Sequence, residues 1–283
     1  MDYQHGQVTF YDPGTDFPAI SVTGRVCELG CDHCRGHYLG GMKAASSPKQ
    51  LEVLALELSQ KGAKGFLLSG GCDASGRIPL LPYVDAIRSI KSSTDLKVNL
   101  HTGLLDGQEA RALVRGGADC YSMDMVQDEQ VIREVLHLDH GKQVYEETLK
   151  ALFSAGAGHL VPHICIGLAG SSDGERSCID LVSKYPIDAL VLLGFRPTPG
   201  TPWSARAAPS TERILAVLRY AVEELRRPVL IGCMRERGDW RLEQACLKAG
   251  AAGIACPSRR TVEWARSVGY RIELRKQCCA LHR

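Results

Sequence analysis

The chain has 283 residues, 45% hydrophobic and 23% charged, with 34 Lys and Arg against 32 Asp and Glu. A formal charge of +2 argues against a polyanionic partner such as nucleic acid, and no apolar stretch of ~18 residues that could span a membrane is present. The first residues, MDYQHGQVTFYDPG, carry neither a basic leader nor an apolar signal core, so a cytoplasmic enzyme is expected.

Along the chain, short apolar runs alternate with longer amphipathic ones at intervals of ~30 residues. Strand-like runs fall at 19–24, 65–70, 96–103, 120–125, 159–167, 189–195, 228–233 and 253–256. Helical patterns fall between and after them, near 48–61, 80–92, 107–116, 143–156, 174–184, 209–226, 239–249 and 259–268. This repeat predicts an α/β protein, a full (β/α)8 TIM-type barrel spanning 1–283 as one domain, with a doubly wound open sheet as the alternative. In either fold the functional groups gather at the C-terminal ends of the strands. Those ends read VTGRVC, LLSGGC, NLHTG, SMDMV, IGLAG, GFRPTPGTPW, LIGCMRERG and ACPSRR, rich in glycine, cysteine and polar residues.

Twelve cysteines are unusual for a reducing compartment. Cys120, Cys165, Cys178 and Cys246 lie within apolar strand or helix patterns, where a small buried hydrophobe is the expected role. Cys27, Cys31 and Cys34 differ, because they form a C-x3-C-x2-C loop directly after the first strand. A zinc site usually pairs two C-x2-C knuckles or adds histidines to reach four ligands. Three close thiolates suit a cubane iron–sulfur cluster better, leaving one iron open to an exchangeable ligand.

At this loop, residues 25–42, the chain resembles the radical S-adenosylmethionine (SAM) superfamily, and more narrowly its biotin-synthase-like group. The resemblance implies that His33 takes the place of the aromatic residue before the third cysteine. Ser69, Gly70 and Gly71 match the glycine pair that approaches the methionine end of SAM, although Cys72 stands where the family usually has Glu. Asp124 matches a ribose-binding position, and Ile166, Gly167 and Leu168 match an adenine-contacting run. The implied chemistry is reductive cleavage of SAM, by an electron from the reduced cluster, to methionine and a 5′-deoxyadenosyl radical that takes hydrogen from an unactivated carbon, with the protein supplying the cluster's poise, the orientation of SAM and a dry cavity. His101, His163, Arg196, Arg235 and Arg237 lie near strand ends as further candidates for contact with SAM or a cluster, whereas Met123 and Met125 are expected in the core.

Carbon–sulfur bond-forming members of this group hold a second cluster, consumed as the sulfur source. Cys72 and Cys233 end the second and seventh strands. The tail, 270–283, alternates Tyr270, Ile272 and Leu274 with Arg271, Glu273 and Arg275 before reaching Cys278 and Cys279. Eight extended residues span roughly 26 Å, enough to climb the height of a barrel. Cys72, Cys233, Cys278 and Cys279 are therefore expected to hold the auxiliary cluster, with Cys256 in reserve because adjacent side chains of an extended segment point opposite ways.

With VTGRVCELGCDHCRGHYLGGM, GFLLSGGCDASGRIPL, VNLHTGLLD, RPTPGTPW and CCAL, the chain resembles the shorter, first-acting partner of the two-protein lipoyl synthases. That resemblance implies two 4Fe-4S clusters, SAM, an electron donor, a second synthase protein and an octanoylated lipoyl-carrier domain thiolated at C8. The alternatives are another two-cluster radical SAM reaction, of hydrogenase-cofactor assembly or rearrangement type, an electron-transfer or redox-sensing protein, and a zinc-binding module.

Overall fold

The structure, a computed structural model, describes residues 6–283. β1 (Gln7–Tyr11) precedes β2 (Ala19–Ser21), and a long loop then carries a 3-10 turn at His37–Gly41 and the two-residue β3 (Lys43–Ala44) to α1 (Pro48–Gln60). β4 (Gly65–Ser69) leads to α2 (Val84–Ser93), β5 (Lys97–Thr102) to α3 (Gly107–Arg115), and β6 (Cys120–Asp124) through a π turn at Val131–Val135 to α4 (Gln143–Ser154). Next come β7 (Leu160–Ile166) with α5 (Asp173–Val182), β8 (Leu190–Gly194) with α6 (Thr211–Glu224), β9 (Val229–Ile231) with α7 (Trp240–Lys248), and β10 (Gly253–Ala255) with α8 (Arg259–Ser267). β11 (Arg271–Arg275) and a 3-10 turn at Cys279–Leu281 come last.

Polar caps set the helix starts. Ser47, Asp106, Ser210, Asp239 and Ser258 each accept hydrogen bonds from amides of the first turn, a device that stabilises a helix by about 1 kcal/mol. Among the described residues, no helix is long and apolar enough to cross a membrane.

All strands are parallel and lie in the order β11-β1-β10-β9-β8-β7-β6-β5-β4-β2-β3. From β4 to β10 every strand pairs with its successor, so the repeat runs around the sheet in chain order. The expected full barrel is not shown. Closure would require β10 to pair with β2, but β1 occupies the free edge of β10, β11 lies beyond β1, and β3 covers β2. The result is a partial barrel of eleven strands whose two edges, β11 and β3, have no hydrogen-bonded partner strand beyond them among the described residues.

Side chains alternate across each strand. Leu68, Leu100, Tyr121, Ile164, Leu192 and Ile254 pack against the helices in the main core. Cys120, Val161, Val191, Leu230 and Ala255 turn inward and pack with Tyr11, Phe17, Cys279, Ala280 and Leu281. The tail is therefore part of the barrel filling.

The extended segment expected after α8 is present as β11, in register with β1 from Gln7↔Arg271 to Tyr11↔Arg275. Leu274 is 65% exposed on this edge. The chain does not stop at the rim, as the climb from one end of the barrel to the other suggested. It bends into the lumen, where Cys279 and Leu281 are each 5% exposed and Ala280 fully buried. His159 Nε2 and the Cys120 thiol both reach the Ala280 carbonyl, at 2.9 and 3.3 Å, and the Tyr11 hydroxyl meets His282 Nδ1. An apolar lumen needs small apolar filling, and Cys-Ala-Leu supplies it.

Candidate functional site

The loop between β2 and β3 is folded back over the ends of β2 and β4. Gly71 N–H donates to Thr23 Oγ1 at 2.7 Å, Thr23 Oγ1 donates to the Val26 carbonyl at 2.9 Å, and Glu28 N–H donates to the Cys72 carbonyl at 2.7 Å. A Cβ on Gly71 would lie 2.0 Å from the Val26 oxygen and 2.7 Å from Cys27 Cα. The second glycine of the Ser69-Gly70-Gly71 run thus has a packing reason, since the cysteine loop rests on its bare backbone. Gly70 is also tight, with an added Cβ 2.9 Å from Val22. Ser69 is buried and donates to the His101 carbonyl at 3.0 Å, so its hydroxyl ties β4 to β5.

Within the loop, Cys34 and Arg35 N–H both donate to the Cys31 carbonyl, which curls the three cysteines into a tight turn, and Arg35 takes a positive φ of 46°. The ligand atoms of Cys31, His33 and Cys34 lie within 4.8 Å of one another. The Cys31 S–H hydrogen-bonds to Cys34, which holds the Cys34 thiol far below its ordinary range and pushes Cys31 above it, with burial and the Cys27 charge adding to the rise at Cys31. His33 Nδ1 is buried without a hydrogen-bond partner. Cys31 and Cys34 stand close together with Cys27 ahead of them on the same loop, a set of thiols that fits an iron–sulfur cluster.

Deeper in the lumen, β5, β6 and β7 bring His101, Asp124 and His163 together, with ligand atoms within 4.8 Å. His101 Nε2 stands 3.6 Å from Asp124 Oδ1. Asp124 is 59% exposed, opening into the lumen, where His101, His163 and His33 surround it. Enclosure by the barrel walls works against its charge despite that exposure, but the His101 ring outweighs this and lowers the carboxyl to about 2. His163, 6% exposed with Nδ1 unpartnered, is pushed down to about 3 by burial, and the neighbouring His101 adds to the fall. Each residue was a separate candidate in the sequence. Their joint placement follows from the register of three adjacent strands.

The Ile166-Gly167-Leu168 run ends β7. The Ile166 side chain is buried in the core between sheet and helices, and its carbonyl accepts from Phe195 N–H at 2.8 Å. Gly167 has φ +99° and donates its N–H to Glu175 Oε1 at 2.9 Å. Arg213 Nη2 binds the same Glu175 oxygen at 2.6 Å, while Nη1 binds the Ala169 carbonyl at 2.9 Å. Leu168 lines a small cavity with Met125, Gln127, Asp128 and Cys178. Sequence reasoning missed the Glu175–Arg213 pair that shapes this turn.

The remaining expected ligands divide. Burial raises the Cys72 thiol to about 12, and the nearest charges acting on it are Cys27, Asp124, Asp73 and Cys34. Cys72 thus sits beside the Cys27–Cys34 loop, its carbonyl accepting from Glu28 N–H. Cys278 accepts from Asn99 Nδ2 at 3.4 Å, and Asn99 Oδ1 in turn accepts from Ser122 Oγ at 2.9 Å. The Cys279 S–H hydrogen-bonds to Cys278, lowering Cys278 to about 7 and raising Cys279 well above its usual range. The other thiols acting on Cys279 are Cys233 and Cys256. Cys233 is solvent-exposed, yet desolvation by the surrounding strand ends brings its thiol to about 11, with Cys278 and Cys256 as the thiols acting on it. Of the arginines, Arg235 is 3% exposed and paired with Glu243, away from any open face, while Arg237 Nε donates to the Cys233 carbonyl at 3.2 Å. Arg196 is exposed at the end of β8.

Comparison with known proteins finds this parallel α/β partial barrel, with a three-cysteine loop after its first barrel strand, similar in sequence to biotin synthases and in fold to further enzymes. No family model matches the chain. It is 24% identical to the biotin synthase of Marinobacter nauticus over 285 residues, covering 92% of this chain and 78% of that one. Methylornithine synthase (PylB) shares the fold with a TM-score of 0.65 and 15% identity, over 94% of this chain and 84% of that one. HydG, a maturase of the FeFe-hydrogenase, does so with a TM-score of 0.64 and 14% identity, over 94% of this chain, which spans 64% of HydG.

Proposed function

We propose that the chain is a radical SAM sulfur-inserting enzyme of lipoyl synthase type, thiolating C8 of an octanoyl-lysine on a lipoyl-carrier domain. The observation that carries this reading is the presence of two separate thiol groups in one barrel. Cys27, Cys31 and Cys34 stand on the loop over β2 and β4, whereas Cys278 and Cys279 pack with the tail in the lumen and Cys233 and Cys256 follow the adjacent strands β9 and β10. When bound, the first cluster with SAM would supply a 5′-deoxyadenosyl radical and the second a sulfur atom.

The chain's own residues have definable tasks in this reading. Gly70 and Gly71 let the cysteine loop approach the sheet, and Asp124, ionised against His101, offers acceptor oxygens to a ribose diol. The turn at Gly167, braced by Glu175 and Arg213, bounds the place of the adenine. Leu281 and Ala280 seal the barrel interior so that water is excluded from the reacting carbon. A reductant and a second synthase protein complete the scheme.

A second reading, hydrogenase-cofactor assembly, is favoured by one observation. The His101, Asp124 and His163 group makes the lumen between the two thiol sets polar, which suits a polar substrate better than an acyl chain. One anaerobic assay separates the two readings. The reconstituted protein is given dithionite, SAM and an octanoyl-lysyl peptide. Deoxyadenosine with a peptide heavier by one sulfur is expected; deoxyadenosine without that gain rejects sulfur insertion, and its absence with any substrate rejects SAM chemistry.

A further inference from the structure

β9 and β10 are adjacent strands, and Cys233 and Cys256 follow their C-terminal ends. Cys72 follows β4, five strands away from β9 in the sheet order, and its carbonyl is bound to the radical-cluster loop. Cys256 is held in an unusual way. Its φ is +48°, a left-handed conformation that few residues with a Cβ adopt, and such strain persists only where surrounding structure enforces it.

The enforcing structure is visible. Cys256 N–H donates to the Tyr11 carbonyl at 2.6 Å, and its own carbonyl accepts from Arg235 Nη2 at 3.3 Å. Arg235 Nη1 also binds the Gly232 and Ala255 carbonyls at 2.8 and 2.7 Å, so one guanidinium grips the residues just before both cysteines. Arg235 is 3% and Glu243 1% exposed, and they pair at 2.7 Å. The second Glu243 oxygen accepts from Ser258 N–H, Ser258 Oγ and Thr261 Oγ1 at 2.8, 2.7 and 2.6 Å, which fixes the turn just after Cys256. A buried ion pair costs desolvation, and an apolar pair of the same volume often serves stability as well. What it adds here is defined geometry around two thiols.

We infer that Cys256, and not Cys72, completes the auxiliary set with Cys233, Cys278 and Cys279, and that the buried Arg235–Glu243 pair is the positioning device that aims Cys233 and Cys256 into the lumen. The inference rests on the two-cluster reading, and it is tested on cluster-loaded protein by iron content and Mössbauer spectra. Wild type is expected to hold about eight irons per chain, the content of two cubanes. Cys72→Ala keeps both spectral components. Cys256→Gly removes the thiol and relieves the left-handed strain together. Its cluster-free thermal midpoint therefore stays level or rises, while the second component is lost or altered and the first is intact. Glu243→Gln lowers the thermal midpoint and shifts the second component alone. Should that variant not fold, Thr261→Val, which removes one donor to the same carboxylate, makes the same comparison.

Wild type with only about four irons, the content of one cubane, would overturn the two-cluster reading itself. Wild type with both components, but Cys256→Gly spectra unchanged or Cys72→Ala stripped of the second component, overturns the ligand assignment alone. Unchanged second-component spectra in the Glu243 or Thr261 variant overturn the positioning role.

Discussion

Gly71→Ala is a direct probe of how the cysteine loop is held. The new Cβ would sit 2.0 Å from the Val26 oxygen, against an ordinary contact of about 3.5 Å, so the loop must retreat by roughly 1.5 Å. That movement disturbs the 2.9 Å bond from Thr23 to the Val26 carbonyl and the 2.7 Å bond from Glu28 N–H to Cys72. Overpacking costs about 1–3 kcal/mol and each lost hydrogen bond about 0.5–1.5, giving a destabilisation of about 2–6 kcal/mol. Gly41→Ala, on the same loop with nothing within 4 Å of its added Cβ, serves as the control. Urea unfolding and iron per chain after reconstitution are compared for the three proteins. Gly71→Ala should lose stability and take up less iron on the loop, with Gly41→Ala at wild-type values. Wild-type stability and loading in Gly71→Ala would refute the proposed contact between glycine backbone and cysteine loop.

Leu281→Ala should cost about 2–5 kcal/mol in urea unfolding, because Leu281 fills the lumen at 5% exposure. Arg213→Ala should weaken SAM binding about tenfold, measured by calorimetry, with iron content unchanged, since the pair with Glu175 shapes the turn at Gly167 without reaching the cysteines. The His101–Asp124 pair sets a pH window. Burial alone would lower His101, but Asp124 more than offsets it and raises the ring above its ordinary 6.5, so this contribution is complete below pH 6.5 and fades as pH climbs through the raised value. Asp124, lowered from 3.8 to about 2, contributes fully above pH 3.8 and loses that as pH falls through about 2. The stability advantage of wild type over Asp124→Asn should therefore be largest between about pH 4 and 6.5 and shrink as pH climbs through the raised His101 value. An advantage that grows with pH would contradict the pairing.

Most strands and helices were legible from period alone, and all eight helices fall within a few residues of the expected spans. β1 was not, because its short run carries no flanking helix to mark it as one step of the repeat. Its insertion beside β10 is also why closure was misjudged, since an edge can be occupied by a strand that the repeat does not contain. The three-cysteine loop was legible because its chemistry is local. The proposed auxiliary set was only partly so: strand counting placed Cys72 and Cys233 after the ends of their strands, but not which other cysteines each lies beside. Glu243 carried a faint signal, a carboxylate on the apolar face of α7 beside Leu242, Cys246 and Leu247, a position that requires a buried partner.

The central claim is that a second cluster, held in the lumen with the tail cysteines, gives up sulfur to a carbon chain. Reconstitution with heavy-isotope sulfide, followed by a single turnover with SAM, reductant and an octanoyl-lysyl peptide, tests it most directly by mass spectrometry. The account predicts one heavy sulfur in the product and matching loss of sulfide from the protein, both abolished in Cys278→Ala, Cys279→Ala double-variant protein that still cleaves SAM. Product carrying only light sulfur, or heavy sulfur transferred equally well by the double variant, would contradict it.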